Sequence, residues 1–252
     1  MNQSHYLRSI LTRFKMSDCK PRSTPCEIKL DAYEAISGKE EENDIRKYRE
    51  IVGSLVYAMT CTRPDLAWVV TKLSQNLSKP TDVDWMTVKH VLRYVKGTLE
   101  LKLWYKKSKN GLKIEGYSDS DWASCADDRR STTGYYFCLN AAGPPVSWKS
   151  RKQPTVALSS CEAEYMAFTD CVQEAMFLQM MLSEVISVPT PIPIHGDNQG
   201  AIALVKNPII SNRSKHIDTK HHFIREKFSA KVIDIYLMST QTTTLQTCSR
   251  NQ

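Results

Sequence analysis

From Asp44 to about Thr98 the apolar residues return every three to four positions, the beat of amphipathic helices. Ile45, Tyr48, Val52, Leu55 and Met59 form one stripe. Leu66, Val69, Val70, Leu73 and Leu77 form a second, and Trp85, Val88, Leu92 and Val95 a third. The pattern predicts three consecutive helices. Pro64 falls where a first-turn proline is tolerated, Lys79-Pro80 parts the second helix from the third, and Asp82 or Asp84 stands where it would cap the third. Asp18–Asn43 mixes Pro, Ser and acidic residues without a sustained period and reads as a linker or loop.

Beyond Asn110 the rhythm shortens. Lys113–Ser118, Thr132–Leu139 and Val146–Ser150 are candidate strands, separated by turn signals at Asp127-Asp128-Arg129 and Gly143-Pro144-Pro145. They read as three antiparallel strands. Ser159, with Glu162 three residues on, fits a capping box opening a long helix to about Val185. A strand over Pro189–His195, a short helix from Gln199, a helix over Ile217–Phe228 and a strand over Val232–Met238 complete the pattern. Strands in a hairpin run followed by helix–strand alternation indicate a mixed α/β sheet flanked by helices, with a small helical region before it.

Composition narrows the class. The chain has 252 residues, 41% of them hydrophobic and 24% charged, with 9 Gly and 11 Pro, which excludes collagen, a long coiled coil and a low-complexity chain. The longest apolar stretch, Ile51–Met59, carries Gly and Ser and is about half the length a bilayer requires, so no membrane role is expected. Eight Cys without any C-x-x-C pair, and no secretory leader, predict reduced, mostly buried thiols in a cytoplasmic or nuclear protein. A net charge of +7 is compatible with a polyanionic partner and decides nothing alone.

Three acids stand at the mouths of different elements. Asp119 is near the end of the first strand, Glu164 one turn into the long helix, and Asp197 at the end of the fourth strand. Carboxylates that converge repel unless a cation sits among them, and hard oxygen ligands suit Mg²⁺ or Mn²⁺. The competing reading from spacing alone is that each acid merely caps or solvates its own element. His216, Asp218 and His222 offer a rival zinc or iron site, set against their belonging to a surface helix. Trp122 and Trp148 read as core, and His195 as a buried strand-end histidine.

Five ordered strings bear on the choice: Gly-Tyr-Ser-Asp-Ser-Asp-Trp-Ala (116–123), Asp-Arg-Arg-Ser-Thr-Thr-Gly-Tyr (128–135), Val-Ser-Trp-Lys-Ser-Arg-Lys-Gln (146–153), Val-Ala-Leu-Ser-Ser-Cys-Glu-Ala-Glu-Tyr-Met-Ala (156–167) and Lys-His-Ile-Asp-Thr-Lys-His-His-Phe-Ile-Arg-Glu (215–226). Together they resemble the ribonuclease H domain of copia-type retrotransposon Pol polyproteins. Thr62-Arg63-Pro64-Asp65 and Leu92-Arg93-Tyr94-Val95-Lys96-Gly97-Thr98 resemble the connection between reverse transcriptase and that domain. The resemblance implies the end of a reverse transcriptase region and a linker over 1–43, a helical connection over 44–105, an RNase H-like domain over 110–240 and an aberrant tail over 241–252. It implies endonucleolytic cleavage of RNA in RNA/DNA hybrids, leaving a 3′-hydroxyl and a 5′-phosphate. Asp119 would bridge two Mg²⁺ or Mn²⁺ ions, with Asp121 its rival, while Glu164 and Asp197 hold one of them. Glu162 stays the cap, because residues two apart on a helix point about 200° away from each other.

Lys149, Arg151 and Lys152, and Lys215, Lys220 and Arg225, are candidate phosphate contacts for the hybrid, against a plain solvated basic face. A reverse transcriptase palm domain in the parent polyprotein is an implied partner. Two departures leave open whether the chain is an enzyme. It has no Tyr-x-Asp-Asp polymerase motif, and the acid expected after the last strand is missing from residues 241–252. With suitable codons, shifting that tail by two bases gives Asp-Asn-Asn-Ile-Ala-Asp-Met-Phe-Thr-Lys-Pro, so a frameshift is a hypothesis that sequencing the locus tests. The alternative to a nuclease is an inactive or domesticated remnant that binds nucleic acid or nothing.

Overall fold

The computed structural model describes residues 1–26, 42–107, 111–125, 128–140, 143–207 and 218–238, and these divide after Trp104 into two compact units. The first is helical: α1 (Ser4–Arg13), α2 (Glu42–Cys61), a 3-10 turn at Pro64–Leu66, α3 (Ala67–Ser74) and α4 (Asp82–Gly97). The three predicted stripes supply its core, with Tyr48, Leu55, Leu66, Val70, Leu73, Val88 and Leu92 all buried. Two features differ from the sequence reading. The segment before Asp18 forms α1, which buries Leu7, Ile10 and Leu11 in the same core. Neither Asp82 nor Asp84 caps α4; Thr81 does, its Oγ1 accepting from the Asp84 N–H while the Asp84 carboxylate accepts from the Thr81 N–H. Thr81 stands at the cap position itself with extended backbone, whereas Asp82 and Asp84 already lie inside the first helical turn.

The Thr62-Arg63-Pro64-Asp65 run is a packing device. Arg63 is 1% exposed. Its guanidinium donates to both Asp65 oxygens (Nε to Oδ1 2.9 Å, Nη2 to Oδ2 2.7 Å) and to Thr98 Oγ1 (2.8 Å), while Tyr94 Oη donates to Asp65 Oδ2 (2.9 Å). The planar guanidinium fork meets both Asp65 oxygens side by side while also reaching Thr98, a bidentate geometry that the compact ammonium of a lysine does not match.

The second unit is a five-stranded mixed sheet in the order β3-β2-β1-β4-β5. The strands are β1 (Ile114–Asp121), β2 (Thr132–Leu139), β3 (Pro145–Lys152), β4 (Ile192–Gly196) and β5 (Ile233–Leu237). β1 to β3 are antiparallel neighbours; β4 runs parallel to β1, and β5 parallel to β4. Parallel strands need a crossover, and α5 (Ser160–Ser183), α6 (Gln199–Lys206) and α7 (Asp218–Ser229) provide it. One sheet face carries Ile114, Phe137, Ile192, Ile194, Ile233 and Ile235 into a core with Tyr165, Phe168 and Val172 of α5, Ile202 and Val205 of α6, and Ile224 of α7.

On the opposite face a row of rings crosses all five strands in register: Trp148, Tyr136, Tyr117, His195 and Tyr236. Tyr117 stacks on both Tyr136 (centroids 4.6 Å) and His195 (4.9 Å). His195 is therefore half-buried in a stack, and burial lowers its pKa while Glu115 pulls the other way. Trp122, read as core, is 50% exposed because it stands in the turn after β1. Among the seven described cysteines, all free thiols, Cys138 and Cys171 alone are buried, fewer than expected. Among the described residues no helix is long and apolar enough to cross a membrane.

Candidate metal centre

β1, β3 and β4 point the same way, so the C-terminal ends of β1 and β4 and the start of α5 meet at one edge of the sheet. Asp119 lies two residues inside the end of β1, Glu164 in the second turn of α5, and Asp197 directly after β4. The structure brings the three together: one carboxylate oxygen from each lies within 4.8 Å of the others. Asp119 is half-buried, Glu164 buried and Asp197 exposed, so the cluster opens to solvent on one side.

The local chain explains the convergence. The Ser120 N–H donates to Glu164 Oε1 at 3.1 Å, tying the acid of α5 to the residue beside Asp119. Gly196 lets α5 approach β4, because a Cβ there would lie 2.4 Å from the Phe168 ring. Phe168 is one turn beyond Glu164, so this contact sets Glu164 beside Asp197. Asn198 then caps α6, accepting from the Ala201 N–H at 3.0 Å, and fixes the chain leaving Asp197.

Glu162 turns to the cap. Its Oε2 accepts from the Leu158 N–H (2.8 Å) and its own N–H donates to Ser159 Oγ (3.1 Å). The box is formed to Leu158, not to the Ser159 amide. Asp121 ends β1 exposed and lies outside the carboxylate group. Burial, then the nearby Glu164 and Glu162, pushes the Cys161 thiol up.

Three of the four predicted basic contacts whose side chains are described are engaged within the chain. Arg151 pairs with Asp170 at 2.7 Å. Lys152 pairs with Asp128 at 2.9 Å and donates to Cys125 Sγ at 3.0 Å, and its hydrogen bond is the main reason the Asp128 carboxyl falls to about 2. Arg225 donates to the carbonyls of Leu204 and Asn207 at the end of α6. Lys149 is exposed on β3. Lys215 and His216 lie outside the described residues, as do the side chains of Asp218 and Lys220, and His222 is exposed on α7. Sequence reasoning missed Ser120, Gly196 and Gln153; the signal was adjacency to Asp119 and Asp197 for the first two, and a place at the end of the Lys-Ser-Arg-Lys-Gln string for the third.

Three antiparallel strands, a crossover helix and two parallel strands, with acids gathered where β1, β4 and α5 meet, define an RNase H-like α/β domain. No protein-family model matches the chain. It is 39% identical over 244 residues to the retrovirus-related Pol polyprotein from transposon TNT 1-94 of Nicotiana tabacum, covering 95% of this chain and 18% of that protein. It is 38% identical over 241 residues to the Pol polyprotein from transposon RE2 of Arabidopsis thaliana, covering 95% and 16%. The chain belongs to the copia-type retrovirus-related Pol polyproteins and spans less than a fifth of the length of these relatives. Among solved structures it is similar to LC11-RNase H1, isolated from compost, at 13% identity and a TM-score of 0.40, covering 53% of this chain and 89% of that one.

Proposed function

We propose that the unit from Tyr105 onward is a ribonuclease H-type endonuclease that cleaves the RNA strand of RNA/DNA hybrids with Mg²⁺ or Mn²⁺. The observation that supports this reading is the meeting of Asp119, Glu164 and Asp197 within 4.8 Å. The donor set fits such a cation: three hard oxygens from separate elements, one buried and one open to solvent, whose mutual repulsion a divalent ion relieves. When bound, divalent ions supply an activated water and stabilise the departing oxygen of a phosphodiester. The chain's part is positional. Asp119 and Glu164 are held by β1 and α5 through the Ser120 amide, and Asp197 stands at the open side where a phosphate arrives. No serine, cysteine or histidine nucleophile takes part. In the parent polyprotein the hybrid would come from the reverse transcriptase palm domain.

One observation favours a second reading, a remnant without turnover: residues 241–252 contain no acid that would serve as a fourth ligand. A Mg²⁺-dependent assay on a labelled RNA/DNA duplex separates the two. Cleavage by the parent chain that disappears in Asp119→Asn supports the nuclease. Hybrid binding without cleavage leaves the remnant.

A further inference from the structure

Gln153 follows β3 and is 2% exposed. Its Nε2 lies 2.9 Å from Thr133 Oγ1, 2.9 Å from the Ala163 carbonyl and 3.3 Å from Ser120 Oγ, and its backbone N–H donates to the Ser131 carbonyl at 2.8 Å. Ser120 is the residue after Asp119, and Ala163 the residue before Glu164. One buried amide therefore bridges the immediate neighbours of two of the three carboxylates, on elements that the charges themselves push apart. The Ala163 carbonyl only accepts, which fixes the amide with its nitrogen toward α5. We infer that Gln153 is a positioning residue that holds the end of β1 and the start of α5 at the separation a divalent cation requires. The inference rests on the carboxylates being a metal centre, and it concerns how they are held rather than what they cleave.

Gln153→Met keeps the volume and removes the donors. The probe is Mn²⁺ alone, titrated into the full chain and followed by its paramagnetic resonance. We expect about 10-fold weaker binding than the parent, the size typical of lost supporting contacts around metal ligands, with unchanged far-UV dichroism. Equal Mn²⁺ affinity in parent and variant overturns the inference. If Gln153→Met does not fold, Gln153→Asn, whose shorter arm cannot reach Ala163 and Thr133 together, takes its place. A metal-free cycle separates this inference from the nuclease reading. Asp119→Asn relieves repulsion, and its stabilising effect on the unfolding equilibrium should shrink at least threefold once Gln153 no longer ties the two elements. Additive effects overturn the positioning role. A parent that binds no Mn²⁺ but shows this coupling overturns the metal centre and keeps the tie.

Discussion

Arg63 carries a charge into the middle of the helical unit, and nothing but its partners makes that tolerable. Removing one member of a buried, hydrogen-bonded pair strands the other, at a cost of about 3–5 kcal/mol. Arg63→Met should lower the chain's stability by that amount in urea denaturation, more than any surface arginine. Tyr117 makes a different kind of demand. Burial first, then Glu115, pushes its phenol up to about 12 from an ordinary value of 10. A folded value above the unfolded one means that the stability it contributes is intact below pH 10 and is lost as pH climbs from 10 toward 12. Tyr117→Phe should therefore flatten the fall in stability across that interval, read as denaturation midpoints at successive pH values.

Between elements, the contact that sets the cluster is the Phe168 ring on Gly196. Gly196→Ala places a methyl where the ring already stands, and overpacking of this kind costs about 1–3 kcal/mol. It should also weaken Mn²⁺ binding, because α5 carries Glu164 away with it, and Phe168→Leu should recover part of both losses. Thr81→Ala removes a cap in the helical unit and should cost about 1 kcal/mol in thermal denaturation with no effect on the ion. What the sequence discloses follows from which forces are local. The stripes of α2 to α4 and the alternation of β2 are written in spacing, and their elements stand within a few residues of where the pattern puts them. Leu7, Ile10, Leu11 and Phe14 carry the same beat in α1, but the sequence reading gives so short a stripe no element. The three acids stand out by their places at the mouths of three elements, but only motif resemblance weighs them as one site against three separate caps, since no periodicity joins residues so far apart. The Gln153 bridge, the Arg151–Asp170 pair and the outward turn of Trp122 depend on partners that only the folded sheet supplies.

For the molecule as a whole, the +7 charge does not say which cations a polyanion would meet: Arg151 and Lys152 are paired with Asp170 and Asp128, and Arg225 is turned to backbone carbonyls. Hybrid binding, measured as log affinity against log salt, should lose about one unit of slope in Lys149→Ala and less in Arg151→Ala. The ring row across the outer face has a consequence of another sort. Trp148 and Tyr136 meet as soon as a simple hairpin closes, whereas Tyr117 reaches His195, and His195 reaches Tyr236, only after the long crossovers have returned. Refolding watched by indole emission and by near-ultraviolet tyrosine dichroism should then show two separate clocks, one for the antiparallel half and a slower one for completion of the parallel half.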